Sequence, residues 1–409
     1  IRRDQVEIAP QGNTSHDVYY LPHHMVSKTK LEGTKYRIVF DASAHEPNSP
    51  SLNDALEMGP NLLPEILGTL LRFRKHSKAI ACDGDQAFLQ LTLHERDRDL
   101  TRFLWYRVER EPDGTYNTSD EVISYRFKRL PFGLTSSPFL LSATIRELAT
   151  RNQAIYPTAC AQVDKSTFMD DITSVEDDLQ AITMYEELTA LLLQIKLSLS
   201  KWATNSQMLK EIWHTRGLDD RRSTSVLGVD WNTIEDCLST NKEKISSDLM
   251  DRSGTKRNVL RATAQFYDPL GLFSPVGIVA KIIFQDTWIR GIAWEELLPL
   301  DLATKWDSWI KTLHLLSSIQ ITRWIGIGDT SWNSDVHLFC DASERAYGAV
   351  LYVRSRSAHT SVVRIACSKN RLAPVKKVTL PRLELLAALI GSRLLQYFCQ
   401  EISFDISKA

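Results

Sequence analysis

Residues 167–172 read TFMDDI, so that two adjacent aspartates, Asp170 and Asp171, interrupt an apolar, strand-like run. A buried charge without a partner is costly, and adjacent side chains of a regular strand point to opposite faces. A tight hairpin would instead present both carboxylates at one edge, where Mg²⁺, which prefers hard oxygen ligands, would neutralise them. Taken alone, an Asp pair is more often a solvated β-turn. The interpretation therefore depends on the rest of the chain.

A second strand-like run, residues 79–82, ends at another acid, Asp83. Phosphoryl transfer with two metal ions about 3.5–4 Å apart requires carboxylates from separate strands. Asp83, Asp170 and Asp171 meet that requirement, and Asp85 is the rival to Asp83. The three acids predict a site that binds two magnesium ions.

The bulk composition limits the class of protein. A chain of 409 residues is expected to form two or three units. Its 43% hydrophobic and 24% charged residues are typical of globular proteins, and no apolar run reaches the roughly 20 residues needed to span a bilayer. The chain begins at Ile1 without a Met, so we expect an excised piece of a longer protein. Its six cysteines include no Cys-x-x-Cys pair, which favours free thiols and a reduced compartment.

A net charge of −1 is unusual for a protein that binds nucleic acid. The distribution of charge is more informative. Residues 350–383 contain no acid, and they include a basic stretch that consists of Arg354, Arg356, Arg364, Lys369, Arg371, Lys376, Lys377 and Arg382. A solvated face is the commoner explanation of a charge run, but one sign over this length favours a polyanionic partner.

Periodicity predicts an alternation of strands and helices. Helical spacing indicates helices over 62–73, 139–151, 177–196 and 380–399. The turn sequence Pro112-Asp113-Gly114 predicts a hairpin. Residues 258–316 have a helical pattern rich in tryptophan, which we interpret as core packing, and a last unit of three strands begins near Ser331.

The motifs in their order resemble the reverse transcriptases of LTR retrotransposons of the BEL/Pao type. The resemblance covers nearly the whole chain, and its pieces are YLPHH (20–24), KYRIVFDAS (35–43), SLN (51–53), GP (59–60), FR (73–74), Asp83 with Phe88, DLTRFLW (99–105), FGL with SP (132–138), FMDD (168–171), KW (201–202), DPLGL with SP (268–275) and DAS (341–343). Each piece alone is weakly specific, and so many in one order are very specific.

This resemblance implies an α+β fold: a right-hand polymerase with fingers, palm and thumb, followed by a partial ribonuclease H-like α/β domain. The implied boundaries are 1–240 for fingers and palm, 241–330 for a mostly helical thumb or connection, and 331–409 for a ribonuclease H-like domain that we expect to be truncated. The substrate-binding residues that it implies are Arg37, Phe88, Phe132, Gly133 and Lys201. An ordinary strand arginine, core packing by Phe88 and a surface lysine are the alternatives.

Residues Asp341 and Glu384 are the implied metal ligands of the last domain. Asp341 follows an apolar strand, and Glu384 stands among leucines and alanines of a helix, where a buried glutamate would need a partner or a proton. The basic stretch would then lie along an RNA–DNA hybrid. Because two further acids of such a site are expected beyond Ala409, ribonuclease H activity is left open. The Asp41-Ala42-Ser43 repeat of the later motif is interpreted as structural.

The resemblance implies an RNA-directed and DNA-directed DNA polymerase that uses Mg²⁺, with Mn²⁺ as the substitute. Its expected partners are an RNA template, a DNA primer and dNTPs, with protease and integrase regions of the same polyprotein flanking it. We expect a cytoplasmic location within a virus-like particle. The alternative is a catalytically inactive remnant of the same fold that binds nucleic acid or acts as a scaffold. Incorporation of dNTPs discriminates between the two.

Overall fold

The computed structural model describes residues 4–11, 17–30, 33–166, 172–240, 254–328, 332–358 and 360–408. The predicted metal ligands Asp170 and Asp171 lie outside the described residues. The chain divides into two compact units. The first comprises Ile1–Leu63, Gly84–Met169 and Glu187–Ser200, and the second comprises Pro64–Asp83, Asp170–Glu186 and Lys201–Ala409.

Both units contain strands and helices. Among the described residues, no helix is long and apolar enough to cross a membrane. The strands are β1 (Val6–Ile8), β2 (His23–Lys30), β3 (Gly33–Phe40), β4 (Lys78–Gly84), β5 (Arg102–Arg110), β6 (Tyr116–Phe127), β7 (Ile172–Val175), β8 (Leu199–Thr204), β9 (Ser223–Val226), β10 (Val229–Asn232), β11 (Cys237–Ser239), β12 (Ile321–Thr322), β13 (Asn333–Ala342), β14 (Ala346–Arg356) and β15 (Ser361–Leu372). The helices are α1 (Leu52–Ala55), α2 (Ile66–Phe73), α3 (Ser137–Asn152), α4 (Pro157–Ser166), α5 (Asp178–Leu193), α6 (Gln207–Thr215), α7 (Lys256–Gln265), α8 (Ser274–Ile289), α9 (Leu300–Thr312) and α10 (Leu380–Ile402).

The first unit contains the hairpin β2–β3 and a sheet in the order β1-β6-β5. The predicted hairpin at Pro112-Asp113-Gly114 joins β5 to β6, since Gly114 N–H closes the turn onto Glu111 O at 2.9 Å. Phe40 packs edge-on against Phe103 and Phe127 at 5.0 and 4.9 Å, and these rings anchor the base of the β2–β3 hairpin. The outer part of that hairpin is exposed.

The second unit contains three sheets, in the orders β7-β4-β8, β12-β11-β10-β9 and β13-β14-β15. One hydrophobic core joins them, from Leu70 and Ala81 near the first sheet, through Trp231 and Trp309, to Leu351 of the last sheet. Helix α10 packs on β13 and β14 through Gly391, where an added Cβ would lie 3.2 Å from Ala349 Cβ. Burial on this scale makes the sheets of the unit interdependent.

Candidate active site

Asp83 lies at the end of β4, after four buried residues of that strand. Strand β4 pairs antiparallel with β7, and the last pair in the described register joins Ala81 to Ile172. Asp83 is two residues beyond Ala81, and Asp171 directly precedes Ile172 in sequence. The side chain of Asp83 is 31% exposed, so its carboxylate is half-buried and accessible.

The carboxylate of Asp83 forms an ion pair with Nζ of Lys201 on β8. Lys201 has a left-handed backbone, with φ of 54°, which a residue other than glycine rarely adopts. Such a conformation often accompanies functional geometry. Two of the predicted site residues are thus in contact, and the lysine ammonium supplies a positive charge beside the Asp83 carboxylate.

The rival acid, Asp85, has a different environment. It is exposed, its N–H donates to Ser198 O at 2.9 Å, and its carboxylate accepts from Ser200 Oγ at 2.9 Å. It lines a polar cavity of about 440 Å³ together with Gln86 and Arg129. Asp83 is therefore the acid that belongs to the paired strand, while Asp85 follows it.

Two predicted substrate-binding residues of the first unit contact each other. Phe88 lies in the 3-10 helix Ala87–Gln90 and is 4% exposed, and its ring meets Phe132 edge-on at 4.9 Å. Phe132 is 53% exposed. Phe88 packs in the core as the structural alternative requires, and Phe132 supplies the exposed aromatic surface.

Asn53, for which the sequence analysis predicts no role outside its motif, fixes the loop that carries Phe132. Asn53 Nδ2 donates to Gly133 O at 3.0 Å, and Asn53 Oδ1 accepts Thr135 N–H at 2.8 Å. Gly133 has φ of 97°, and an added Cβ would lie 2.6 Å from Phe40 O. Only glycine fits this position. The signal for Asn53 was its place in the SLN motif.

Arg37 lies on β3, opposite Val26 of β2, and is exposed. Because side chains alternate along a strand, Lys35 shares its face. The hairpin therefore presents a cationic face to solvent, which suits an anionic ligand.

The turn between β9 and β10 consists of Leu227 and Gly228, whose φ angles of 46° and 85° are those of a type I′ turn. Leucine is strained in this conformation. Tyr267 covers the turn, since a Cβ on Gly228 would lie 2.7 Å from its Cε1. Because strained backbone often accompanies functional geometry, this hairpin is a candidate binding element.

The two predicted metal ligands of the last domain are both exposed, so the expectation of a buried glutamate is wrong. Glu384 is exposed on α10, because the buried face of the helix is formed by its neighbours Leu383, Ala387 and Ile390. Asp341 is also exposed, at the end of β13. Asp341 lines a groove of about 620 Å³ between the sheet and the start of α8, and Glu384 does not.

The basic stretch divides into two parts. Arg354 and Arg356 pair with Asp335 at 2.5 and 2.8 Å, and Arg364 packs over Trp324 at 5.2 Å. The remaining cations of the stretch are exposed, and they are Lys369, Arg371, Lys376, Lys377 and Arg382.

Carboxylate oxygens are suitable ligands for Mg²⁺. Within the described ranges no group of three or more His, Cys, Asp or Glu side chains could hold a metal ion. Of the three acids predicted for the polymerase site, Asp83 is the one that the structure describes, and its half-buried carboxylate with a cation beside it fits that role.

Comparison with known families gives two matches in sequence order. Residues 34–230 match the family model for reverse transcriptase (RNA-dependent DNA polymerase), and residues 255–409 match that for a Pao retrotransposon-like RNaseH-like domain. A search of curated proteins finds no match.

Similar solved structures include three of the foamy viral protease-reverse transcriptase. The dRH form in complex with double-stranded DNA is 14% identical with a TM-score of 0.60, and the match covers 96% of this chain and 58% of that one. The complex with an RNA/DNA hybrid is 12% identical with a TM-score of 0.58, covering 98% and 45%. A further complex with double-stranded DNA is 14% identical with a TM-score of 0.58, covering 96% and 69%. This chain thus spans little more than half the length of the first of them, and the likeness confirms the predicted fold class, a polymerase fold followed by an RNase H-like domain.

Proposed function

We propose that this chain, a reverse transcriptase domain followed by an RNase H-like domain of the Pao retrotransposon type, synthesises DNA on an RNA or DNA template. The observation that carries the proposal is the position of Asp83 at the end of β4. Its partner strand β7 begins at Ile172, directly after Asp170 and Asp171 in sequence. We propose that Asp170 and Asp171 act together with Asp83, because the described pairing of β4 with β7 reaches Ile172, the next residue in sequence.

In this proposal Asp83, Asp170 and Asp171 hold two Mg²⁺ ions, with Mn²⁺ as the substitute. Bound at these acids, the ions would supply Lewis-acid activation of the primer 3′-hydroxyl and stabilisation of the leaving pyrophosphate oxygen. Lys201, which pairs with Asp83 in the free protein, would turn to the triphosphate when dNTP binds. A lysine is a suitable partner for phosphate oxygens.

The first unit would bind the rest of the substrate. Arg37, on the cationic face of the β2–β3 hairpin, would contact the triphosphate of the incoming dNTP. Phe88 would exclude a 2′-hydroxyl through its ring, supported by Phe132 at 4.9 Å. Gly133 would let its loop pack directly on the backbone of Phe40 in the conformation that meets the template or nucleotide, since a Cβ would lie 2.6 Å from Phe40 O.

The exposed part of the basic stretch would lie along the sugar–phosphate backbone of the template–primer duplex. Foamy viral protease-reverse transcriptase has been solved with double-stranded DNA and with an RNA/DNA hybrid, and we propose the same classes of ligand for this chain. The protease and integrase regions that we propose to flank it belong to the same polyprotein. We also propose a cytoplasmic, reducing location within a virus-like particle, in which its six cysteines would stay free thiols.

Extension of a labelled DNA primer on an RNA template tests the proposal. The wild type is expected to extend the primer when Mg²⁺ and dNTPs are added, and Asp83→Asn and Asp170→Asn are expected not to. Asp341→Asn, on the last sheet, serves as the matched carboxylate control and should extend like the wild type. Hybrid binding is measured in parallel by fluorescence anisotropy.

Two outcomes would overturn the proposal. Equal extension by the wild type and Asp83→Asn would remove Asp83 from the chemistry. Tight hybrid binding with a steep salt dependence but no incorporation by the wild type would identify the chain as a binding remnant of the fold.

A further inference from the structure

Two arginines of the second unit, Arg74 and Arg323, are each 0% exposed. Arg74 follows the last residue of α2, and Arg323 follows the last residue of β12. Burial of a guanidinium is costly unless its donors are satisfied. Burial also lowers the pKa of Arg74 to about 9. Two such groups side by side therefore require a specific set of acceptors.

Arg74 satisfies its donors with backbone carbonyls from two other parts of the unit. Its Nε and one terminal nitrogen donate to Arg323 O at 2.9 Å and Thr322 O at 3.0 Å, beside β12. The terminal nitrogens also donate to Ile365 O at 2.8 Å and to Ala366 O, both on β15. One side chain at the end of α2 thus binds the backbone of the RNase H-like sheet.

Arg323 makes the reciprocal contacts. It donates to Phe73 O at 2.5 Å, His76 O at 3.0 Å and Ser77 O at 2.7 Å, which are backbone carbonyls of the last residue of α2 and of the loop before β4. The guanidinium of Arg323 also donates to both carboxylate oxygens of Asp236, at 2.6 and 2.9 Å. Each arginine therefore binds the backbone that carries the other.

Further contacts continue this junction on both sides. The hydroxyl groups of Ser334 and Ser355 each donate a hydrogen bond to Gly326 O at 2.9 Å. These bonds attach the segment after Arg323 to β13 and β14. On α2, Arg72 pairs with Glu401 of α10. The hydrophobic core runs without a break from β4 to β14 and α10. Polar and apolar contacts therefore join the same elements.

We propose that Arg74 and Arg323 are positioning residues that fix the RNase H-like sheet to the strand that carries Asp83. The β13–β15 sheet is then an integral part of this unit and not a domain on a linker. The proposal rests on the proposed function in one respect. A bound template–primer duplex would meet the exposed cations Lys369 and Arg371 at a constant distance from the primer terminus.

Hydrogen exchange on the wild-type chain tests the junction without any substitution. If β4 and β15 belong to one cooperative unit, their slowest amides will exchange through the same opening, with protection factors equal within about tenfold and the same dependence on denaturant. Exchange of β15 more than about a hundredfold faster than that of β4 would overturn the proposal.

Hydroxyl-radical footprinting of the full chain on an RNA-template–DNA-primer duplex tests the consequence. The wild type is expected to protect the duplex from the primer 3′ end to a sharp distal boundary. Arg74→Met removes the donors but keeps an apolar stem, and it should retain protection near the 3′ end and lose the distal part. The matched control is Arg290→Met, since Arg290 is a half-exposed arginine that pairs with Asp301 at 2.6 Å and lies outside the junction.

A distal boundary that stays sharp in folded Arg74→Met would overturn the proposal, as would equal loss in Arg290→Met. Loss in Arg74→Met alone supports it. Asp83→Asn separates this result from the polymerase proposal, because that variant should keep the whole footprint while it loses primer extension. If Arg74→Met does not fold, the wild-type exchange measurement decides.

Discussion

Two strands of the second unit carry an aspartate as their next-to-last residue, directly after an apolar run, and the two acids have different environments. Asp83 at the end of β4 is half-buried and paired with Lys201. Asp341 at the end of β13 is exposed, and its carboxylate accepts the N–H of the next residue, Ala342, at 2.9 Å. A carboxylate in a less solvated place interacts more strongly with a cation. The end of β4 is therefore the better-prepared cation site of the two in the described chain.

Neutralising Asp83 and Asp341 in turn tests most directly whether the two acids differ. Asp83→Asn removes a metal ligand, and we expect primer extension to fall by about a thousandfold or more. Asp341→Asn should change extension by less than about twofold, because this exposed acid takes no part in the proposed synthesis. Single-turnover extension with saturating dNTP measures both. Comparable losses in the two variants would contradict the distinction.

The next effect concerns the packing behind Asp341. Helix α10 approaches the sheet through Gly391, and a Cβ there would contact Cys340 Sγ and lie 3.2 Å from Leu338 Cδ1. Gly391→Ala should lower the free energy of unfolding by about 1–3 kcal/mol, as overpacking of a core does. Ser392→Ala, on the exposed side of the same helix, is the control and should stay within about 0.5 kcal/mol. Urea unfolding measures both, and a neutral Gly391→Ala would show that the helix can move away from the sheet.

Much of this fold follows from the pattern of the sequence. The helix predicted over 380–399 is α10, Leu380–Ile402, and the three last strands lie where apolar runs were bounded by turns. Period and length decide such elements. The turn after α5 contains no glycine, and Lys196 itself takes the left-handed conformation there, with φ of 58°.

What the sequence could not provide is the environment of single polar groups. A glutamate among leucines suggested burial, but a rotation of one residue around α10 puts Leu383 inside and Glu384 outside. Arg74 and Arg323 are about 250 positions apart in sequence, and only the tertiary fold brings each to the backbone of the other. Carbonyl acceptors carry no sequence signature. The pairing of Asp83 with Lys201 is likewise tertiary.

Low pH should destabilise the region around β4 more than the β13–β15 sheet. Burial lowers the pKa of His76, which precedes β4, from 6.5 to about 4. The folded state therefore favours the neutral ring, and the stability it contributes is complete above pH 6.5 and is lost as the pH falls toward 4. With allowance for solvent screening we expect a loss of about 1–2 kcal/mol.

Urea unfolding of the wild type and His76→Gln at pH 7.5 and pH 4.5 measures this loss. The wild type should lose more stability between the two pH values than the variant does, because glutamine does not titrate. Equal losses would assign the acid sensitivity to other groups. His314, which is exposed in the 3-10 helix Leu313–Ser318 after α9, provides the control as His314→Gln, which should behave as the wild type.

Two cysteines of the last sheet should be alkylated at different rates, which is the smallest of the expected effects. Cys367 on β15 is buried beside Arg74, and this burial raises the pKa of its thiol to about 12. Cys340 on β13 is exposed near the end of its strand. Because the thiolate is the reactive species, iodoacetamide at pH 8 should alkylate Cys340 well before Cys367. Peptide mass spectrometry over time measures the two rates. In Arg74→Met, loosening of β15 should raise the rate at Cys367 toward that of Cys340, and an unchanged ratio would mean that β15 is held by its apolar contacts alone.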